Sequence, residues 1–322
     1  MGFLRRKKKP RTLPLTSPVT PGPAPATFTK MPVIKDALRE LYRVLTPAKV
    51  RSYTANIAPM FSVMSGADPV MGAQKLARSM ALHLGMAEVR LIVSFQELGA
   101  TGDGAYHAGN VELGPGPEYF VTLSPRFRQD VRDTAAVLAH EVMHVFLHRN
   151  KVWWEDQDRN EILTDTATVY LGTGWLMLNA YRAGQSLGYL SPAELGYVLA
   201  KRAQAFDENI ERYLADNPAA RQAYQAGARR AAQDEEAAPL AGCAPAAHRQ
   251  YLKDKRHASE LAVSAGVSGL TMPYAGGYRF EGYGPMKVVF ACPTCHQRLR
   301  VPVDRTATIR CGTCRSTHSC LT

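Results

Sequence analysis

The segment that decides the fold runs from Val137 to Phe146 and reads VLAHEVMHVF. Apart from His140, Glu141 and His144 its residues are apolar, which indicates a buried helix, and we expect that helix to cover about Asp130 to His148. One helical turn separates the two histidines, so both rings can reach one metal ion. Glu141 follows His140 and is rotated by about 100° around the helix axis. Its carboxylate therefore lies beside the open metal position, where it can act as a general base. The alternative is two core histidines that flank a glutamate, a costly burial without a function.

Catalytic zinc needs a third protein ligand, and the stretch NEILTD at 160–165 offers one. Glu161 and Asp165 are four residues apart, so they share a face of the next predicted helix, about Arg159 to Tyr181. We expect Glu161 to bind the metal and Asp165 to accept a hydrogen bond from a ligand histidine. A solvated acidic face is the alternative, and the apolar residues inside the stretch disfavour it. His148 is expected to pack or cap rather than to bind metal.

The pattern His-Glu-x-x-His followed by Glu-x-x-x-Asp resembles the gluzincin branch of the zincin metallopeptidases, over about residues 85–182. The resemblance implies a zincin-like α+β fold, a catalytic zinc on His140, His144 and Glu161, and Glu141 as general base. It also implies that an extended substrate pairs with an edge strand above the histidine helix, a place that Glu118–Leu123 fits. Such enzymes commonly support the oxyanion with Tyr or His, for which the candidates are Tyr170, Tyr189, Tyr197 and His107.

A second metal pattern lies near the C-terminus, where CPTC at 292–295 and CGTC at 311–314 are separated by 15 residues. Two such pairs with strand-like flanks resemble a zinc ribbon. We expect a closed, structural zinc site that replaces a core too small to fold alone, with the ligands Cys292, Cys295, Cys311 and Cys314. Cys243 and Cys320 are spare, although Cys320 is close enough to compete as a ligand.

The net charge of +11 is concentrated at the two ends of the 322-residue chain. Residues 1–30 hold seven basic residues and no acid, and residues 286–322 hold six against one acid. Weak contact with nucleic acid or an acidic membrane surface is one interpretation, and a solvated tail without a partner is the other. Aromatic residues are nearly absent from the ribbon, so we do not expect it to read a base sequence.

The order helix, helix, three strands and further helices predicts an α+β fold. The predicted strands are Val89–Phe95, Tyr106–Leu113 and Tyr119–Leu123. Four parts follow from composition and pattern. They are a disordered basic Pro-rich arm (1–30), a zincin metallopeptidase domain (31–238), a linker with one helix near 250–265 (239–285) and the zinc ribbon (286–322).

Targeting signals are absent from the sequence as given. No apolar run reaches the 18 residues of a membrane span, and prolines stand where a signal peptide needs an apolar stretch. The first 242 residues contain no cysteine, which argues against a disulfide-stapled secreted protein. We therefore expect a cytoplasmic protein.

The expected activity is zinc-dependent hydrolysis of peptide bonds, with the ribbon recruiting or positioning the target. One alternative is a Spartan-type protease that acts on proteins attached to DNA. That family uses a third histidine, whereas this chain has the acidic pair. The other alternative is a non-enzymatic zinc-binding interaction protein, which the intact Glu141 disfavours.

Overall fold

The structure, a computed structural model, describes residues 11–12, 27–53, 64–66, 68–99, 108–182, 187–265, 271–282 and 285–321. It is a mixed α+β structure that divides into two compact units. The first takes the chain up to Ala37 and from Arg51 to Gly227; the second takes Leu38–Val50 and the chain from Ala228 onward. None of the helices within these ranges has both the length and the apolar character that crossing a membrane requires.

The secondary-structure elements are numbered in chain order. The helices are α1 (Met31–Leu45), α2 (Pro47–Ser52), α3 (Pro69–His83), α4 (Val131–Arg149), α5 (Gln157–Tyr170), α6 (Gly174–Ala180), α7 (Pro192–Phe206), α8 (Pro218–Glu235) and α9 (Pro245–Ala265). The strands are β1 (Arg11–Thr12), β2 (Arg90–Phe95), β3 (Gly109–Glu112), β4 (Glu118–Leu123), β5 (Thr271–Pro273), β6 (Arg279–Glu281), β7 (Lys287–Ala291), β8 (Arg298–Pro302), β9 (Ala307–Arg310) and β10 (Thr317–Cys320).

The sheet of the first unit has the strand order β1-β3-β4-β2. Strand β4 pairs in parallel with β2, from Arg90 opposite Glu118 to Phe95 opposite Leu123, and antiparallel with β3. Because β4 has a neighbour on each side, the prediction that Glu118–Leu123 forms an edge strand is wrong. Alternation predicts which face of a strand is buried but not which strands lie beside it. Strand β3 has β4 on one side and only the two residues of β1 on the other.

Helices α4 and α5 form the centre of the first unit. Every residue of α4 from Thr134 to Leu147 is buried, and so is every residue of α5 from Asn160 to Tyr170. Such all-round burial is typical of a helix inside a core. The carboxylate of Asp130 begins α4 by accepting the amide protons of Arg132 and Asp133 at 2.9 and 3.0 Å. The predicted buried helix is therefore confirmed, one residue later than expected at each end.

Helix α5 ends at Tyr170, whereas the sequence predicted one helix as far as Tyr181. Gly172 has a φ of +101°, a left-handed conformation that ends a helix. Arg202 donates a hydrogen bond to the carbonyl of Tyr170 at 2.6 Å, and His83 Nε2 lies 2.9 Å from the carbonyl of Leu171. These two side chains satisfy carbonyl groups that the end of α5 exposes.

Helix α7 begins at a capping box. Ser191 Oγ accepts the amide proton of Glu194 at 3.3 Å, and Glu194 Oε2 accepts the amide proton of Ser191 at 2.9 Å. The box fixes the end of the segment 187–191, which lies beside the histidine helix as described below.

In the second unit, β5, β6, β7 and β8 form one antiparallel sheet, and β9 and β10 form a hairpin. Residues 239–285, predicted as a linker, contain α9 and the strands β5 and β6. The rings of Tyr278 and Phe280 have their centroids 5.2 and 5.6 Å from that of Tyr251 on α9. All three side chains are buried, so these aromatic contacts hold α9 against the sheet.

Candidate metal centres

Three side chains of the first unit converge in its buried interior. His140 and His144 lie one turn apart on α4, and Glu161 faces them from α5. His140 Nε2 lies 2.9 Å from His144 Nε2, and Glu161 Oε2 lies 3.2 and 3.1 Å from these two nitrogens. Ligands held at the usual zinc distances by a tetrahedral ion are about 3.3 Å apart. The triangle of atoms therefore has the size of one face of a metal coordination shell.

Asp165 orients the first histidine and links it to the segment before α7. Its Oδ1 accepts a hydrogen bond from His140 Nδ1 at 2.8 Å. Its Oδ2 accepts the amide protons of Tyr189 and Leu190 at 2.6 and 3.0 Å. In the neutral ring this hydrogen bond keeps the proton on Nδ1, which leaves the lone pair of Nε2 for a metal ion. This is the position that the sequence predicted for Asp165.

Thr164 orients the second histidine, a role that the sequence does not reveal. Its hydroxyl donates to the carbonyl of Asn160 at 3.0 Å and lies 3.3 Å from His144 Nδ1. An oxygen that already donates its proton can accept one from the ring, which leaves Nε2 of His144 as the ligand atom. A threonine four residues after an asparagine gives no signal of this second contact, because the contact depends on how α5 crosses α4.

Electrostatics at the three ligands favour a cation. Burial lowers the pKa of His140, but hydrogen bonds to Asp165 and Glu161 overcome it and raise the pKa to about 10. Burial raises the pKa of Glu161, yet the neighbouring histidines hold that pKa well below its ordinary value. The carboxylates thus stabilise positive charge where the ligand atoms meet. A bound divalent cation would satisfy the same field, so the donor set and its charge fit a metal ion.

Glu141 is fully buried beside this group, and it is the side chain with the most unusual environment. Neither of its carboxylate oxygens has a hydrogen-bond partner within the described ranges. Burial raises the pKa of Glu141 to about 8, although the charge of His140 lowers it. A carboxyl group with a pKa near neutrality can both take and return a proton.

Gly109 on β3 makes room for that carboxylate. A Cβ on Gly109 would lie 2.6 Å from Val137 Cγ1 and 2.8 Å from Glu141 Oε1, closer than such atoms approach each other. Strand β3 therefore passes directly against Glu141. The sequence does not reveal this role of Gly109, because a glycine in a strand indicates a close approach but not the residue that it approaches.

Of the four side chains proposed to support an oxyanion, Tyr189 lies at the site. Burial raises the pKa of Tyr189 above its ordinary value, and the charges of Glu161 and Asp165 raise it further. Tyr170 and Tyr197 are fully buried, and Tyr170 packs its ring 5.9 Å from that of Phe206. His107 lies outside the described residues.

His148, one further turn along α4, does not join the group of ligands. Its Nε2 lies 3.1 Å from the carbonyl oxygen of Gly114, in the turn between β3 and β4. It packs the end of α4 against that turn, as expected from the sequence.

The second group of ligand atoms lies in the second unit, where Cys292, Cys295, Cys311 and Cys314 come together and are buried. Cys292 Sγ lies 3.7 Å from Cys314 Sγ, and Cys295 Sγ lies 3.6 Å from Cys311 Sγ. Sulfur atoms on a tetrahedral zinc ion are about 3.8 Å apart. Cys320 is buried on β10 and stands outside this group, as does Cys243.

The two Cys-x-x-Cys turns have the same backbone geometry. The amide of Cys292 donates to the carbonyl of Gln297, and the amide of His296 donates back to Cys292, at 2.7 and 2.9 Å. Cys311, Ser316 and Arg315 repeat this pattern at 2.8 and 3.0 Å. The fourth residue after each first cysteine, His296 or Arg315, has a positive φ of 60° or 64°. Two equivalent turns thus present their sulfur atoms to one point.

Polar groups on β10 and just before it contact the sulfur atoms. His318 Nε2 lies 3.3 Å from Cys292 Sγ, and Ser316 Oγ lies 2.8 Å from Cys314 Sγ. Such hydrogen bonds stabilise a thiolate, the form in which cysteine binds metal. Five arginines of the C-terminal segment 286–322 have exposed side chains, namely Arg298, Arg300, Arg305, Arg310 and Arg315.

Comparisons with known proteins give no relative for this chain. No protein-family model matches it, and neither the curated proteins nor the solved structures contain a match. The candidate metal centres rest on geometry alone. Within the part of the chain that the structure describes there are two, one of two histidines and a glutamate and one of four cysteines.

Proposed function

We propose that the first unit is a zinc metallopeptidase of the zincin type and that the four cysteines hold a structural zinc ion. One observation carries the proposal: His140, His144 and Glu161 meet at ligand distances, with the carboxylate of Glu141 buried beside them. A structural zinc site is normally closed by four protein ligands, whereas three ligands leave a position for chemistry. The four-cysteine group fits the first description and the His-His-Glu group fits the second.

A zinc ion on the three ligands would lower the pKa of a water molecule and polarise a peptide carbonyl. Glu141 takes the proton of the attacking water, because its carboxylate is buried beside the ligand atoms and its two oxygens accept no hydrogen bond from the described residues. The same carboxyl group then protonates the nitrogen of the leaving amine. Asp165 and Thr164 hold the two imidazole rings, and Tyr189 is the side chain we assign to the support of the oxyanion.

The substrate is proposed to bind as an extended strand along β3. Gly109 places β3 against Glu141, so a peptide paired with β3 would present its backbone to the carboxylate. Main-chain pairing gives affinity with little dependence on side chains. This replaces β4, which is paired along its whole length with β2, whereas the outer side of β3 pairs only with the two residues of β1.

The test is hydrolysis of an unstructured protein such as casein by the zinc-loaded wild type and by Glu141→Gln. Loss of a general base reduces the rate by about 10²–10⁴-fold, while zinc content stays unchanged because Glu141 is not a ligand. Glu155→Gln, at an exposed position before α5, is the matched control and should keep full activity. Activity in Glu141→Gln equal to that of the control would overturn the proposed mechanism. A wild type that binds both zinc ions without hydrolysing protein would favour a non-enzymatic interaction protein.

A further inference from the structure

The outer edge of β3 is already paired with another segment of the chain. Residues Arg11–Thr12 form β1, which runs antiparallel to β3 with Arg11 opposite Val111 and Thr12 opposite Asn110. The other edge of β3 pairs with β4. Strand β1 therefore occupies the edge of β3 that a peptide substrate would need.

The pairing lies close to the candidate catalytic carboxylate. Asn110, opposite Thr12, is the neighbour of Gly109, whose Cα faces Glu141. An extended peptide that reached Glu141 along β3 would have to pair with the same residues of β3 as β1 does. Two strands cannot use one sheet edge at the same register, so the occupants exclude each other.

The last residues of the N-terminal arm are also attached next to the site. The carbonyl of Thr27 accepts a hydrogen bond from Ser191 Oγ at 2.8 Å, and the amide of Lys30 donates to Glu194 Oε1 at 2.7 Å. The ammonium group of Lys30 also donates to the carbonyl of Tyr189. Because Thr27 is attached there, the chain between Thr27 and β1 acts as a short tether. Such a tether gives β1 an effective concentration on the order of millimolar at β3. A substrate in solution must compete with it.

The sequence around β1 makes the pairing short. Pro10 and Pro14 flank the paired residues, and proline has no amide proton to donate to a neighbouring strand. Few backbone hydrogen bonds can therefore form, and each one favours pairing by only a few-fold. A strand held this weakly lowers the apparent affinity for the substrate, but it leaves the edge of β3 free for part of the time.

We propose that the edge of β3 is a strand-docking surface at which the chain's own N-terminal segment competes with the substrate. The competition with substrate rests on the proposed function; the docking of β1 does not. Removal of β1 should lower KM and leave kcat unchanged, because the arm blocks binding and touches none of the reacting groups.

The experiment compares the zinc-loaded wild type with two deletions that keep Met1. Deletion of residues 2–12 removes β1, and deletion of residues 2–9 removes five basic residues but keeps Arg11–Thr12. We expect KM for an unstructured protein to fall about tenfold in the first deletion and to stay at the wild-type value in the second. Equal KM values in the two deletions would overturn the competition.

Hydrogen exchange gives a second readout that needs no activity. Within residues 109–112, the amides that point to β1 rather than to β4 should exchange about tenfold faster when residues 2–12 are deleted. They should exchange at the wild-type rate when residues 2–9 are deleted. Equal exchange in the two deletions would overturn the docking of β1. Absence of hydrolysis in all three proteins would instead overturn the proposed function, so the two failures are distinguishable.

Discussion

Replacing Asp165 by asparagine tests how the metal centre is held, because the change keeps the shape and removes one acceptor. The carboxylate accepts three hydrogen bonds, from His140 Nδ1 at 2.8 Å and from the amides of Tyr189 and Leu190 at 2.6 and 3.0 Å. An amide side chain offers one oxygen and two donor protons. It cannot satisfy both sides of this arrangement.

Either orientation of the new side chain is unfavourable. If its NH₂ group faces His140, the ring must present a lone pair at Nδ1 and carry its proton on Nε2, the atom that would bind the metal. If the NH₂ group faces Tyr189 and Leu190, two buried backbone donors lose their acceptor. Changes of this kind weaken metal binding by about 10–100-fold, which corresponds to about 1.4–2.8 kcal/mol.

The assay is a cobalt(II) titration, in which only the cysteine site gives strong thiolate charge-transfer bands and the two centres are therefore resolved. We expect Asp165→Asn to lower affinity at the His-His-Glu centre within that range and to leave the cysteine site unchanged. Asp158→Asn, an exposed acid on the same helix, is the matched control and should bind like the wild type. An affinity of Asp165→Asn within twofold of the control would show that Asp165 does not orient His140 for metal binding.

Three further predictions concern other parts of the structure. Gly109→Ala should lower the free energy of unfolding by about 1–3 kcal/mol in urea titrations, because the added Cβ has no room; Gly99→Ala, with open space around it, should not. Burial lowers the pKa of His83 below 6.5 despite its hydrogen bond to a backbone carbonyl. Just below pH 6.5 the unfolded chain therefore binds a proton at His83 that the folded chain does not bind. Stability should thus fall as pH falls through about 6.5, and His83→Gln should reduce the loss between pH 7.5 and 5.5; equal losses would contradict this. Cys292→Ser should lose one zinc per chain and raise hydrogen exchange in residues 287–320, whereas Cys243→Ser should keep both properties.

The sequence predicted the histidine helix well because helical geometry alone determines which of its side chains share a face. His140 and His144 must share a face wherever the helix lies, and the same holds for Glu161 and Asp165. An apolar surrounding then predicted that both helices are buried. The grouping of ligand atoms required only that the two helices pack together, which consecutive helices with short connections usually do.

Features that depend on how elements cross were not predictable in this way. Gly109 and Thr164 matter because β3 passes over Glu141 and because α5 meets α4 at His144. The strand order placed β4 inside the sheet, although its alternation of buried and exposed residues is also compatible with an edge. Pairing partners are long-range information, and periodicity within one segment does not contain it.

The most direct test of a metal centre built on His140, His144 and Glu161 is the number of zinc ions per chain. It is measured by elemental mass spectrometry on the wild type and on Glu161→Gln. The structure has two groups of ligand atoms, and Glu161 belongs to one of them. We expect two zinc ions in the wild type and one in the variant, because an amide is a poor replacement for the third ligand. One zinc ion in both proteins, or two in both, would contradict a metal centre built on His140, His144 and Glu161.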